Sequence, residues 1–240
     1  MNALLTRILR YVDFDVSIFT KLEGLRHQIE VYRPGQQIVN EGDTVVSMFV
    51  VENGWAIRYR ILDDGRRQIV NFMLPGDCFD MMSLTRAEAD HSVNAATEVE
   101  IRRIESADFL EAVRSDASLA TAFWWVAIQE ESILREQIIR IGRRSAIERV
   151  GHLILELNRR MEAVTGERSD FVNIPIPQSL FADALGLSVV HISRTLKKLR
   201  EKSLVVTTPD GIEILNREVL EKMCGFESQY FHFDKLKLTG

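Results

Sequence analysis

The spacing of hydrophobic and polar residues changes along the chain, and each change predicts a different kind of element. Near the amino terminus, Leu5 and Ile8 belong to a set of apolar residues at helical intervals. From about residue 31 to residue 104, short runs of β-branched and aromatic residues are separated by glycines roughly every ten residues. This rhythm is typical of a compact antiparallel barrel or roll. Helical spacing returns near Ser106 and continues to about Met161.

Two turn signals support the strand prediction. The segment 63–67 ("DDGRR") lies between two apolar runs and predicts a hairpin, because Gly65 can adopt a positive φ at low cost. The segment 52–54 ("ENG") predicts a second turn. The first half of the chain is therefore expected to form an antiparallel roll.

The segment 116–142 predicts one long helix, because it has no proline and no glycine before its last residue. Such a helix would extend roughly 40 Å, which is more than one small roll can cover. Two interpretations follow: a core helix that lies on the roll, or a helix that also pairs with a second subunit. We favour the second, because the apolar positions do not fit a single stripe. These positions are Ala120, Trp124, Ala127, Ile128, Leu134, Ile138 and Ile141.

A hinge is expected at 142–144, because Gly142 relaxes the backbone there and a new helix signal follows. Ser145 can cap the new helix, and Glu148 three residues later completes a capping box. Further on, two prolines keep the segment 171–178 extended and out of a helix.

The stretch 178–200 has the pattern of a helix-turn-helix. A short first helix ends at Gly186, which tolerates the left-handed φ of a tight turn, and Ser188 is a good N-cap for the next helix. On this second helix, at about 188–200, the core-facing residues are Ile192, Leu196 and Leu199. The opposite side carries Val190, His191, Arg194, Lys197 and Lys198.

A β-wing is predicted next to this pair of helices. The segment 204–215 reads as a hairpin that turns at Pro209, Asp210 and Gly211. Within 177–202, five basic residues stand against two acidic ones, so this stretch has a net charge of +3 in a chain of −5. A lysine-rich helix face is often only solvated, but the glycine–serine turn and the wing favour DNA binding.

The composition narrows the class of protein further. Hydrophobic residues make up 46% of the chain and charged residues 27%, which is a globular composition with enough apolar material for a core. Cys78 and Cys224 lie far apart, so we expect two free thiols and no disulfide framework, metal site or cofactor. No apolar run reaches the length of a membrane span, and the amino terminus lacks a signal-peptide pattern. We therefore expect a cytoplasmic protein.

Two other classes of function are weighed as alternatives. A cupin-like enzyme built on the roll would need two close histidines and a carboxylate as metal ligands. The five histidines are scattered, and the sequence has no nucleophile triad signature or phosphate-binding glycine loop. A regulatory subunit would use the roll to gate a partner protein, but the winged helix-turn-helix argues against it. We expect no catalytic residues.

Over about 20–222, the chain resembles the CRP/FNR family of bacterial transcription regulators. The most specific matches are "LGLSVVHISRTLKKLREKSLV" at 185–205, and "PGQQIVNEGD" and "LPGDCF" in the predicted roll. The resemblance implies an α+β fold with an antiparallel β-roll like that of cyclic-nucleotide-binding domains at 1–115, a dimerisation helix at 116–142 and a winged helix-turn-helix at 143–240. It also implies a homodimer that binds a near-palindromic promoter site in double-stranded DNA and recruits or blocks RNA polymerase.

The resemblance assigns DNA-binding positions on the second helix. The family's base-reading positions fall on Val189, Val190, Ser193 and Arg194, and the Arg194 guanidinium could bond guanine O6 and N7. Valine replaces the family glutamate at Val190 and can touch only a thymine methyl, so the usual half-site is not expected. His191 has two interpretations, a donor to guanine or phosphate and a solvent-facing side chain. Phosphate contacts are expected from Gln178, Lys197 and Lys198.

The effector site departs further from the family. Cyclic-AMP binders carry a glycine–glutamate pair that holds the ribose and an arginine–serine pair that holds the phosphate. This chain has Met81 and Met82 near the first pair, and His91 and Ser92 at the second. Because the carboxylate is absent and histidine is a weak phosphate clamp at neutral pH, we expect no cyclic-AMP binding.

The sequence leaves open whether another small-molecule effector binds. An apolar or flat ligand could lie between the roll and the long helix, or the same side chains could fill the space of a lost nucleotide pocket. The candidate lining residues are Met81, Met82, His91, Ser92, Trp124 and Ile128. Haem sensing occurs in the family, with His27, His91 and Cys78 as candidate ligands here, but a lone histidine is more often a hydrogen-bonded residue. We therefore expect no haem.

Overall fold

The computed structural model describes residues 3–11, 17–209 and 211–232. Its chain divides into two compact units. One holds the residues up to Arg60 together with Phe72–Glu131, and the other holds Ile61–Asn71 together with Ser132–Phe231. Most of the predicted roll is therefore in the first unit, and the predicted helix-turn-helix is in the second. In the described ranges, no helix is both long and apolar enough to cross a bilayer.

Eight strands form the roll that the glycine-punctuated pattern predicts. They are β1 (Gln28–Tyr32), β2 (Gln37–Val39), β3 (Ser47–Asn53), β4 (Ala56–Ile61), β5 (Arg67–Met73), β6 (Cys78–Phe79), β7 (Ser92–Ala95) and β8 (Val99–Glu105). They lie in two four-stranded sheets with the orders β1-β8-β3-β6 and β2-β7-β4-β5. At the predicted hairpin between β4 and β5, Gly65 has a φ of 83° and its N–H donates to the Leu62 carbonyl at 2.8 Å.

Alternating side chains of the strands build the core of the roll, as the period of two requires. On β8, Val99 and Ile101 are fully buried, whereas Glu100 between them is half-buried. The rings of Phe49 and Phe79 stack with their centroids 5.1 Å apart in the same cluster of buried residues. The roll therefore has a closely packed apolar interior.

Four helices accompany the strands of this part of the chain: α1 (Ala3–Tyr11), α2 (Ser17–Gly24), α3 (Ser106–Ser115) and α4 (Ala117–Arg143). The long helix predicted over 116–142 is present as α4, which has 27 residues. The Phe123 ring on α4 meets Phe109 of α3 edge-on at 4.5 Å, so α4 buries one side in the first unit.

The second unit is mainly helical. Its elements after α4 are α5 (Ala146–Thr165), β9 (Phe171–Asn173), α6 (Gln178–Leu185), α7 (Val189–Glu201), β10 (Val205–Thr208), β11 (Gly211–Ile214) and α8 (Arg217–Cys224). The three strands pair in the order β10-β11-β9. The predicted capping box starts α5, where the Ser145 N–H donates to Glu148 Oε2 at 2.6 Å.

A buried ion pair joins the end of α4 to α5. Arg140 is paired with Glu156, and their side chains are only 2% and 3% exposed. Arg140 Nε also donates to His152 Nδ1 at 3.2 Å, and the Tyr230 hydroxyl donates to Glu156 Oε2 at 3.1 Å. Tyr230 of the carboxy-terminal tail thus packs against its own chain. Residues 233–240 of that tail lie outside the described residues.

Candidate nucleic-acid interface

The turn between α6 and α7 has the geometry that the sequence predicts. Gly186 adopts a left-handed φ of 64°. The N–H groups of Gly186 and Leu187 both donate to the Ala182 carbonyl, which closes the last turn of α6. Ser188 then caps α7, because its Oγ accepts the His191 N–H at 3.2 Å. Both predicted signals, the glycine turn and the serine cap, are confirmed.

The inner side of α7 is fixed by apolar packing. Ile192, Leu196 and Leu199 are buried, as the helical spacing predicts. Thr195 is buried as well, and its hydroxyl donates to the His191 carbonyl at 2.8 Å, which satisfies the hydroxyl without an outside partner. The opposite side of α7 is therefore the side that faces solvent.

All eight residues predicted to touch DNA are exposed. Val190 is 58% exposed although it is apolar. Within the described part of the chain, the Arg194 side chain has no hydrogen-bond or ion-pair partner, whereas Lys197 Nζ lies 3.8 Å from Glu201 Oε1. The eight residues are Gln178 at the start of α6, and Val189, Val190, His191, Ser193, Arg194, Lys197 and Lys198 on α7. α7 thus presents a continuous face with a free guanidinium at its centre.

The wing lies directly beside α7. β10 and β11 pair from Val205↔Ile214 to Thr208↔Gly211, and Asp210 in the predicted turn lies outside the described residues. A side-chain contact links the two elements, because Arg200 Nη1 donates to Thr207 Oγ1 at 3.1 Å. The exposed face of α7 and the wing are consequently held together as one surface.

The side chains that hold the carboxyl end of α6 were not predicted from the sequence. Both Arg67 Nε and Arg67 Nη2 donate to Asp183 Oδ2, at 2.9 and 2.7 Å. Gln68 Nε2 and Gln137 Nε2 donate to the Ala184 carbonyl, at 3.1 and 2.7 Å. Arg149 Nη1 donates to the Leu185 carbonyl at 3.1 Å. Since Arg67 and Asp183 are 116 positions apart, no local pattern or spacing could have paired them.

In the roll, carboxylates engage His91. His91 Nε2 lies 2.9 Å from Asp80 Oδ1, and His91 Nδ1 lies 2.7 Å from Asp90 Oδ1. Asp80 is fully buried at a left-handed φ of 60°, and Arg58 approaches the same Oδ1 at 3.8 Å. Arg58 is in turn paired with Glu130. The His91 side chain is therefore already engaged by charged side chains of the same chain.

These contacts set the protonation of the imidazole. Burial lowers the pKa of His91, and the nearby charge of Arg58 lowers it too. The hydrogen bonds to Asp80 and Asp90 act in the opposite direction and prevail, so the pKa of His91 is raised above its ordinary value of 6.5. His91 thus retains a proton more readily than a free histidine does.

The other effector-pocket candidates lie in two places. Met81 and Met82 follow Asp80 in a short 3₁₀ turn and are half-buried. Ser92 on β7 accepts the Glu41 N–H at 3.1 Å. Trp124 and Ile128, by contrast, are 72% and 37% exposed on α4. Met81 and Met82 thus follow the aspartate that contacts His91, whereas Trp124 and Ile128 are exposed on α4.

The two remaining candidate haem ligands are His27 and Cys78. His27 Nδ1 is 2.8 Å from the Leu25 carbonyl. Cys78 is buried, and burial raises the pKa of its thiol to about 12, so the thiolate that binds metals is disfavoured. Across the described ranges, histidine, cysteine and acidic side chains form no group of three or more that could hold a metal ion.

Two family models match the chain. The model described as the cyclic nucleotide-binding domain matches residues 29–116. The model described as the Crp-like helix-turn-helix domain matches residues 148–223. These ranges include most of the roll and all of α6, α7 and the wing.

Individual relatives match most of the chain. The transcriptional activatory protein AadR of Rhodopseudomonas palustris is 30% identical, over 77% of this chain and 76% of its own. The nitrogen fixation regulation protein FixK of Rhizobium meliloti is 32% identical, over 82% of this chain and 87% of its own. The solved structure of FixK2 from Bradyrhizobium japonicum has a TM-score of 0.73 at 25% identity, over 83% of this chain and 98% of that one.

Proposed function

Because the chain belongs to the CRP/FNR family of DNA-binding transcription regulators, we propose that it acts as a homodimer on a near-palindromic DNA site. In this proposal, α7 of each protomer enters the major groove, and the two half-sites lie about one helical turn apart. The observation that carries the proposal is the exposed face of α7, a helix that Ser188 caps, with the exposed Arg194 at the centre of that face.

Base reading is assigned to four residues on the first two turns of α7. Arg194 would donate two N–H groups to guanine O6 and N7, which is the geometry that a guanidinium fits best. Val189 and Val190 are exposed and apolar, so they suit a thymine methyl rather than a polar base edge. Ser193 can donate to or accept from a base. We infer a half-site that differs from the family's usual one at the position facing Val190.

Phosphate contacts are assigned to residues at the rim of the same face. Gln178 is exposed at the start of α6, and Lys197 and Lys198 are exposed on α7. Such contacts fix the register of the protein on the duplex and contribute affinity that falls with salt. For His191, the exposed position is compatible with both of its interpretations, a donor to DNA and a solvated side chain.

The exposed apolar face of α4 supports the homodimer. Trp124 is 72% exposed, and Ile128 and Ile138 are 37% and 67% exposed. Their spacings of four and ten residues place them on one side of the helix, as in a heptad seam. Large apolar side chains in such an arrangement favour a protein partner over solvent. A second α4 would cover them, which assigns segment 116–142 to dimerisation, between a sensor-type roll at 1–115 and a DNA-binding region at 143–240.

We further propose that the roll does not bind cyclic AMP. A phosphate placed at His91 would meet the carboxylates of Asp80 and Asp90, which already engage both ring nitrogens. Like charges at such distances oppose binding. Another effector, held near Met81 and Met82, is compatible with this arrangement. As a DNA-binding regulator, the protein would meet its promoter and RNA polymerase in the bacterial cytoplasm.

Selection from a pool of random duplexes tests the DNA-binding proposal, with Arg194→Ala as the decisive variant. We expect the wild-type protein to enrich one two-fold-related sequence. The variant should bind it more weakly by about 1–3 kcal/mol and lose discrimination at one base pair of each half-site. Arg114→Ala is the charge-matched control, since Arg114 is exposed on α3, far along the chain from α7. Equal weakening on all sequences would reduce Arg194 to a phosphate contact.

A further inference from the structure

Asp183, the acidic residue near the end of α6, does not stabilise that helix. Asp183 lies in the last turn of α6, where the carbonyl groups carry partial negative charge and a carboxylate is unfavourable. Asp183 is also half-buried, and the residues around it, Ala182, Ala184 and Leu185, are buried. The Arg67 guanidinium compensates this charge by donating two N–H groups to Asp183 Oδ2. The Arg67–Asp183 contact is therefore the reason that an acid is tolerated there.

The hairpin that carries Arg67 is itself anchored in the second unit. At its base, Asn71 Oδ1 accepts from Arg160 Nη1 of α5 at 3.2 Å, and both residues are buried. Gln68, next to Arg67, bonds the Ala184 carbonyl. Segment 61–71 thus contacts both the helix that supports the helix-turn-helix and the end of α6.

We propose that Arg67 and Gln68 are positioning residues for DNA binding, which hold the carboxyl end of α6 so that α7 presents Arg194 in one direction. The proposal rests on the proposed DNA-binding function and adds a determinant that does not touch DNA. Only a tight turn around Gly186 separates α6 from α7, so an α6 end fixed in place fixes the start of α7 as well. A recognition helix ordered before binding loses less orientational freedom on the duplex, which strengthens binding.

This role predicts different effects on DNA affinity and on folding. The Arg67 and Asp183 side chains are each 31% exposed, and ion pairs with that much solvent contribute little to the stability of the folded chain. The three other donors to the end of α6, including Gln137 and Arg149, remain when Arg67 is removed. Loss of Arg67 should therefore loosen the direction of α7 without unfolding the unit.

The test measures the affinity of the full-length protein for the duplex that wild-type protein enriches from the random pool. Arg67→Ala should weaken this affinity roughly three- to ten-fold and leave the thermal unfolding midpoint unchanged within about 2 °C. Arg66→Ala is the matched control, because Arg66 carries the same charge on the same hairpin and pairs with Asp64 of that hairpin. The control should bind like the wild type.

A charge reversal separates positioning from net charge. Arg67→Glu should weaken binding more than Arg67→Ala, since it places two acids together. The double variant Arg67→Glu/Asp183→Arg has the charge of the wild type and should restore its affinity within about two-fold. Failure of this rescue, or equal losses in Arg66→Ala and Arg67→Ala, overturns the proposal. The wild-type protein is tested first. If it enriches no duplex, the proposed DNA-binding function is overturned as well.

Discussion

Replacing Arg140 by methionine should destabilise the second unit by leaving the Glu156 carboxylate buried without its main partner. The two side chains are 2% and 3% exposed, so solvent cannot take the place of the guanidinium. Removal of one partner from a buried ion pair costs about 3–5 kcal/mol. Arg160 Nη1, 3.8 Å from Glu156 Oε1, and the Tyr230 hydroxyl still face the carboxylate. We therefore expect a loss of about 3 kcal/mol, at the lower end of that range.

Hydrogen exchange, measured at individual amides, shows which helices and strands lose stability. The amides of α5 should exchange roughly a hundred-fold faster in Arg140→Met, because about 1.4 kcal/mol corresponds to a factor of ten. The amides of β3, which belongs to the first unit, are the internal control and should exchange at the wild-type rate.

The double variant Arg140→Met/Glu156→Gln tests the electrostatic cause. An amide at position 156 removes the uncompensated charge and can still accept the Tyr230 hydrogen bond, so most of the lost protection should return. Two results would refute the electrostatic explanation. One is that the α5 amides of Arg140→Met exchange more slowly than in the wild type, or at the same rate. The other is that the double variant is as unstable as the single one. Loss of packing alone would produce the second result.

Two further predictions concern single contacts. Ser188→Ala removes the N-cap of α7 and should cost about 1 kcal/mol in the exchange protection of its first turn, whereas Ser188→Asp should retain the cap. His91 has a raised pKa in the folded chain, so its bonds to Asp80 and Asp90 stabilise the roll fully below pH 6.5 and lose this effect as the pH rises through the folded pKa. Urea unfolding should accordingly show a gap between wild type and His91→Gln that is largest at pH 6 and narrows toward pH 8 or above; a constant gap would contradict the assignment.

Local chemistry made much of the helix-turn-helix predictable. Gly186 and Ser188 mark a turn because a left-handed φ and a side-chain cap are requirements of two or three adjacent residues. The buried positions Ile192, Leu196 and Leu199 follow from the period of one helix. The capping box at Ser145 was readable for the same reason, since both of its hydrogen bonds lie within four residues.

The contacts that depend on tertiary packing were not predictable. Asp80 and His91 lie at the two ends of the connection between β6 and β7, which folds so that they meet, and neither residue has a period or motif that indicates the other. The Arg67–Asp183 pair spans 116 positions. The apolar residues of α4 were recognised, but the sequence could not decide which of them, such as Trp124, would be left exposed by the fold of a single chain. The assignments of individual DNA-contacting and effector-pocket residues stay predictions.

A hydroxyl-radical footprint on the enriched duplex, read together with the native mass of the complex, shows whether the protein binds a symmetric site as a homodimer. We expect two chains per duplex and two protected half-sites related by a two-fold axis, with centres about one helical turn apart. One chain per duplex, or protection without that symmetry, would contradict it.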